Sequence, residues 1–264
     1  MFSLNSKTAV RRPLQQREHV RLPRWRDRGL IVAFAMNLPD SRSTHSGWLT
    51  QCGRRLFILW PAKLIGTAVG MVLFFVFYLQ ILKHPQVAPS LMPVTPIDRW
   101  IGFLPAALPL YLSLWFYVSL APALAASGRE LIVDGITATI LSGLGLGIFF
   151  LWPTTVPPHE GDWSQHHGFA FLRRVDASGN ACPSLHVAFA ILSAALLHSV
   201  LRETGAGRLV RATNWIWCVG IIYSTIAVRQ HVALDVLGGA ALGTIVVAAR
   251  RLVPAASPGK LLGR

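Results

Sequence analysis

The sequence predicts an all-α fold, a polytopic membrane protein built as a six-helix transmembrane bundle. Three observations carry that expectation. Of 264 residues, 53% are hydrophobic and only 14% charged, and the mean hydropathy is +0.48, more apolar than a soluble domain with an ordinary polar surface. Six apolar stretches approach the roughly 20 residues that a helix rising about 1.5 Å per residue needs to cross a hydrocarbon core of about 30 Å. The net charge of +14 is concentrated in tails and short loops between those stretches.

The predicted spans are residues 56–82, 100–125, 131–152, 185–201, 212–228 and 232–249, of which the fourth and fifth are short. Pro61, Pro105 and Pro109 fall within the first two and predict kinks that neighbouring helices can absorb. Residues 1–55 read as a basic cytoplasmic tail crowded with Arg11, Arg12, Arg17, Arg21, Arg24, Arg26 and Arg28. No signal-peptide core precedes Leu56, so targeting is expected from the first span. Residues 56–250 then form the six-span domain, and 251–264 a short cytoplasmic tail.

Basic loops beside membrane spans stay in the cytoplasm, which sets the expected orientation. Arg129, Arg202, Arg208, Arg211, Arg250, Arg251 and Lys260 join the N-terminal tail on that side. The connections at residues 83–99, 153–184 and 229–231 fall on the other. A basic chain can also bind nucleic acid, but that needs charge spread over a soluble face. Charge placed in tails and short loops instead matches anionic lipid headgroups, so nucleic acid is excluded as a partner.

Cys52, Cys182 and Cys218 are far apart and odd in number, which implies neither a disulfide framework nor a metal-ligand pair. His159, Glu160, Asp162, His166 and His167 crowd the long outer loop, yet their spacing matches no established metal motif. No metal and no cofactor are expected. Gly143, Gly145, Gly147, Gly239 and Gly243 have the spacing of close helix contacts. Asp134, near the cytoplasmic end of its span, reads as capping or loop-facing.

The chemistry lies in two histidine-bearing segments at the outer mouths of different spans. Cys182-Pro183-Ser184-Leu185-His186 opens the fourth, and His231-Val232-Ala233-Leu234-Asp235 opens the sixth. Positions four apart share a helix face, so Asp235 can hold one ring nitrogen of His231 and leave the other exposed. A carboxylate inside a membrane segment is costly unless paired, and His231 is the partner the spacing offers. By itself the pair is as compatible with a structural interhelical contact as with catalysis. Ser184 and His186, following a proline suited to a first helical turn, add a place where free N–H groups attract an anion.

These residues resemble the type 2 phosphatidic acid phosphatase superfamily of membrane phosphatases and phosphotransferases, whose motifs read P-S-G-H and S-R-x5-H-x3-D. Pro183-Ser184-Leu185-His186 answers to the first, and Ser224, His231 and Asp235 to the second. Leu185 in place of glycine, Thr95-Pro96-Ile97-Asp98, and Arg174-Val175-Asp176 look like the inositolphosphorylceramide-synthase-like branch. Two features depart from the pattern: Thr225 stands where the family has arginine, and no K-x6-R-P motif is visible. Cationic stabilisation of a transferring phosphoryl group then falls to Arg173, Arg174 or Arg229, the last placed one helical turn beyond Thr225.

The resemblance implies a phosphohistidine mechanism. His231 is the nucleophile, Asp235 its orienting carboxylate, His186 the general acid and then base, and Ser184 a phosphate ligand. The implied partners are a phosphorylated lipid and the bilayer. Hydrolysis, transfer of an inositol phosphate or other headgroup between lipids, and a non-catalytic lipid-binding or transport bundle are the three functions considered. A bacterial inner membrane, with both termini cytoplasmic and the site facing the periplasm, is the expected location.

Overall fold

A computed structural model of the chain describes residues 47–158 and 179–252. Helix α1 (Trp48–Phe57) carries Arg54 and Arg55 in its last turn and ends where Leu59 adopts a left-handed backbone (φ 53°). The first crossing, α2 (Trp60–Lys83), therefore starts later than position 56. Pro61 lies in its first turn, where a missing N–H costs nothing. The same holds for Pro109, while Pro105 opens a single 3-10 turn, so the three prolines start helical segments instead of kinking them.

The second expected span is divided. Thr95 and Asp98 form a capping box that nucleates α3 (Pro96–Ile101), which stops at Gly102 with φ 65°. The chain then turns through Pro105–Ala107 into α4 (Leu108–Ala123). Ser127 caps α5 (Gly128–Leu151) by accepting from Glu130 N–H. Two short strands, β1 (Ser90–Leu91) and β2 (Thr154–Thr155), pair in parallel at the far end of α2 and α5. Helices α6 (Leu185–Glu203), α7 (Arg208–Ala227) and α8 (Ala233–Leu252) complete the bundle.

Among the described residues, five helical segments are long and apolar enough to cross a membrane: α2, Pro105–Ala123, α5, α6 and α8. Helix α7 lies where the remaining span was expected and has 20 residues. Arg208, Arg211, Thr213 and Asn214 make its first half polar. The molecule is thus a mostly helical, multi-pass membrane bundle, with five crossings qualifying by composition.

Helix α6 is the axis and packs against α4, α5, α7 and α8. It buries Val187, Ala188, Ala190, Ala194 and Leu197, whereas α2 at the periphery turns Leu64, Ile65, Val72 and Phe77 outward. An apolar outer face suits lipid as its neighbour. Several polar groups inside are satisfied across helices, as an apolar surrounding demands. Tyr117 donates to Asn214 Oδ1 (2.7 Å), whose amide donates to the Ala194 carbonyl (3.0 Å). Buried Lys63 donates to the carbonyls of Arg55 (2.6 Å) and Ala123 (2.9 Å), tying α1 and the end of α4 to α2. Asp134 neither caps nor faces a loop: it is buried within α5 and pairs with Arg250 of α8.

The closest helix contact is α6 on α8, and glycines permit it. A Cβ on Gly239 would sit 2.2 Å from the Ser184 carbonyl oxygen, and one on Gly243 2.8 Å from that of Ala188. Gly145 likewise makes room for Leu185, whereas Gly143 and Gly147 have open space beside them and do no packing. Replacing Gly239 with alanine should destabilise the bundle by about 1–3 kcal/mol through overpacking. Gly143→Ala should leave the melting temperature unchanged or raise it. Thermal unfolding of both variants in detergent checks the contrast.

Candidate active site

Each histidine sits at the start of a helix, and the connections between helices place both at one end of the bundle. On the α6 side, Thr154 of β2 grips the incoming segment. Its hydroxyl accepts from Cys182 N–H (2.8 Å), and its carbonyl accepts from Ala181 N–H (3.3 Å). Pro183 lies one residue ahead of the cap, outside the first turn, and Ser184 is the N-cap, its hydroxyl accepting from Val187 N–H (3.4 Å). His186 follows as the second residue of α6.

On the α8 side, three consecutive N–H groups around His231 are held by three different elements. His231 N–H donates to the Thr225 carbonyl (3.1 Å), Val232 N–H to Asp235 Oδ2 (2.9 Å), and Ala233 N–H to Asp98 Oδ1 (2.7 Å). Asp98 is fully buried, and its other oxygen accepts from Thr95 N–H and Oγ1, each at 2.7 Å. One carboxylate therefore caps α3 and anchors the start of α8, 135 positions away. Serving as a helix-capping acceptor was legible in Thr95-Pro96-Ile97-Asp98; the reach to Ala233 was not.

The two rings meet. The centroids of His186 and His231 are 5.8 Å apart. Behind His231, Nδ1 lies 3.6 Å from Asp235 Oδ2, too long for a hydrogen bond and short enough for an ion pair. His231 Nδ1 and Asp235 Oδ1 are both buried and lack hydrogen-bond partners among the described residues, a donor site and an acceptor site in the same pair. With Nδ1 the ring nitrogen nearest the carboxylate, Nε2 is the other nitrogen available to a ligand. Behind His186, the fully buried Tyr111 of α4 stacks at 4.5 Å and 23°, its hydroxyl 3.5 Å from Nδ1. No pattern in the sequence marked Tyr111, because nothing local ties α4 to α6.

Of the other expected site residues, Ser184 is fully buried, and its N–H donates to the Asp235 carbonyl at 2.9 Å, joining the two histidine segments directly. Arg229 does not continue the α7 helix one turn past Thr225. The helix ends at Ala227, and Arg229 takes a left-handed backbone (φ 59°) in the turn leading to His231. Thr225 is buried, with its hydroxyl bonded back to the Ile222 carbonyl, so it offers no replacement for a cation. Arg173 and Arg174, and the outer-loop group His159 to His167, lie outside the described residues. Among the described residues, no cluster of three or more His, Cys, Asp or Glu could hold a metal.

Cys182 is the rival nucleophile beside the site. Burial, with the Asp235 carboxylate adding to it, pushes its thiol up to about 11. A thiol that stays protonated near neutral pH is a poor nucleophile.

Fold and site together define a class, the multi-pass helical membrane proteins with a paired-histidine pocket at one end of the bundle. Within it, residues 131–257 match the model of the PAP2 superfamily, so the chain carries a PAP2 superfamily domain over that stretch. The match includes His186, His231 and Asp235, and names the superfamily without a branch. No curated protein and no solved structure matches the chain.

Two outcomes follow. Asp98→Ala removes the acceptor of a buried N–H, at a cost of about 1–3 kcal/mol, and should speed amide exchange at residues 231–234. Asp98→Asn, which keeps an acceptor oxygen, should restore most of the protection in hydrogen–deuterium exchange. Cys182 should stay unmodified by iodoacetamide at pH 8 in the folded protein, read by peptide mass spectrometry.

Proposed function

We propose that the chain is a lipid phosphate phosphatase or phosphotransferase acting through a phosphohistidine at the extracytoplasmic end of the bundle. The observation that carries this reading is the 5.8 Å approach of two imidazoles, one backed by Asp235 and the other by Tyr111. In-line attack needs a nitrogen about 3–3.5 Å from phosphorus. Proton donation needs a second group within about 2.6–3.2 Å of the leaving oxygen. Rings at this spacing can serve both needs for a single phosphoryl group.

In the first half, His231 Nε2 attacks phosphorus, the ester P–O bond breaks, and protonated His186 gives its proton to the leaving alkoxide. Asp235 stabilises the positive charge that develops on the His231 ring. In the second half, neutral His186 takes a proton from water or from an acceptor hydroxyl, whose oxygen forms the new bond to phosphorus as the bond to His231 breaks. Ser184, the first-turn N–H groups of α6, and Arg229, Arg173 or Arg174 supply the field that holds the phosphate oxygens.

Arg54, Arg55, Lys63, Arg129, Arg202, Arg208, Arg211, Arg250 and Arg251 all belong to the end of the bundle opposite the histidines. That asymmetry supports a site facing away from the cytoplasm with both termini inside; a bacterial inner membrane is the setting proposed. Residues 1–55 and 251–264 are then the cytoplasmic tails of a domain spanning 56–250.

Purified protein given phosphatidic acid should release phosphate, and with phosphatidylinositol plus ceramide should yield a new phospholipid if transfer is its reaction. His231→Ala should lose both the turnover and the phosphohistidine trapped by rapid quench and mass spectrometry. His186→Ala should lower kcat by roughly 10²–10⁴-fold, the usual worth of a general acid. Turnover surviving in His231→Ala would sink the reading.

A further inference from the structure

The histidine pocket does not end at the histidines. His186 and His231 line one end of a cavity of about 380 Å³ that continues down the bundle between α2, α4, α5 and α6. The helices explain why the space exists. Helices α4 and α5 both lean on α6 but barely touch one another, and α2 closes the resulting gap from outside. Each contributes a stripe at helical spacing, for example Thr67, Met71, Phe74 and Tyr78 from α2. The walls are predominantly apolar.

The length of this shaft follows from its lining. It runs from Tyr78 to Gly66 along α2, from Tyr111 to Pro122 along α4 and from His186 to Leu196 along α6. At about 1.5 Å per residue, these are about 15–18 Å. One leaflet of a bilayer has a hydrocarbon depth of about 15 Å, half of about 30 Å. The far end is shaped by glycines. Gly66, Gly70 and Gly135 line it, and a Cβ added to any of them would meet no atom within 4 Å. Asp134 also lines that end, its charge matched by Arg250, so no bare carboxylate faces the shaft.

We infer that the shaft holds a hydrocarbon chain of the phosphorylated amphiphile, with its phosphate between the histidines. Gly66, Gly70 and Gly135 keep the path of a long chain clear at the far end. The inference rests on the phosphatase or phosphotransferase reading for what sits at the histidines, and adds the part of the substrate that reading leaves open. Continuity of a single cavity from the two imidazoles to the exposed glycines is the reason for choosing a chain as its occupant. The volume lies in the range of ligand pockets, about 300–1,000 Å³.

The test fills the far end from two different helices. Gly135→Phe and Gly70→Phe are each assayed with short-chain and long-chain phosphatidic acids in the same mixed micelles, with melting temperatures recorded alongside. Both should lose roughly tenfold or more in kcat/KM for the long chain and keep the short-chain value within about twofold, the scale on which apolar pockets discriminate. Equal losses on both lengths in folded variants, or no loss on either, would overturn the inference while leaving the enzyme reading intact. No turnover of either length by the wild type would instead sink the enzyme reading. A long-chain phosphatidic acid with a terminal diazirine then decides chain placement without turnover. Crosslinks at residues 66–71 and 131–139 that are lost in Gly135→Phe support the shaft, and crosslinks confined to the outward faces of the helices overturn it.

Discussion

Asp235 is the junction on which the rest of this molecule depends. Its backbone carbonyl accepts the N–H of Ser184 at 2.9 Å, its side chain accepts the N–H of Val232 at 2.9 Å, and the same carboxylate faces His231. A fully buried carboxylate in an apolar bundle needs partners, and here Val232 N–H and the His231 ring face it from its own segment, while the backbone carbonyl of the same residue takes the Ser184 N–H from the other. One residue thus fixes the start of α6 against the start of α8. The paired glycines one and two turns further on, Gly239 and Gly243, let the two backbones stay close enough for that bond to form.

Around the junction, the molecule separates rigid parts from open ones. Helices α7 and α8 pack closely on α6, which carries more buried side chains than any other helix. Helices α2, α4 and α5 stand round the first of these with a gap between them, and the gap is the apolar shaft. The two histidine segments therefore sit on the packed side, and the apolar shaft lies on the loosely packed side. Tyr111 bridges the two: it belongs to α4 yet stacks on His186, so the wall of the shaft also holds an imidazole.

Asp98 shows how a bundle secures a short, irregular turn. The segment from Val228 to Val232 is not helical, and its N–H groups need acceptors from elsewhere. The Thr225 carbonyl takes two of them, those of Gln230 and His231, and Asp98 takes the N–H of Ala233 just past the turn. The left-handed backbone at Arg229 is the bend that makes these bonds compatible, and it is why the arginine leaves the face of α7 on which helical spacing alone would place it.

The amino-acid order alone determined the features that depend on local physics. Apolar runs of a membrane's thickness named six spans, of which five are described helices apolar enough to cross and the other is α7, and the i, i+4 spacing placed Asp235 beside His231. Segments opening with Ser184 and His231 were recognisable as helix starts. Tertiary structure decided whatever required two distant segments to meet: the 5.8 Å approach of the rings, the stack of Tyr111, the reach of Asp98 to Ala233 and the cavity beneath. Local pattern also misplaced Pro61, Pro105 and Pro109 as kinks and Asp134 as a cap. A proline's cost depends on whether the helix has already begun, and a carboxylate's partner, here Arg250, can come from a helix more than a hundred residues away. Periodicity sees one helix at a time, whereas a pocket is a property of several.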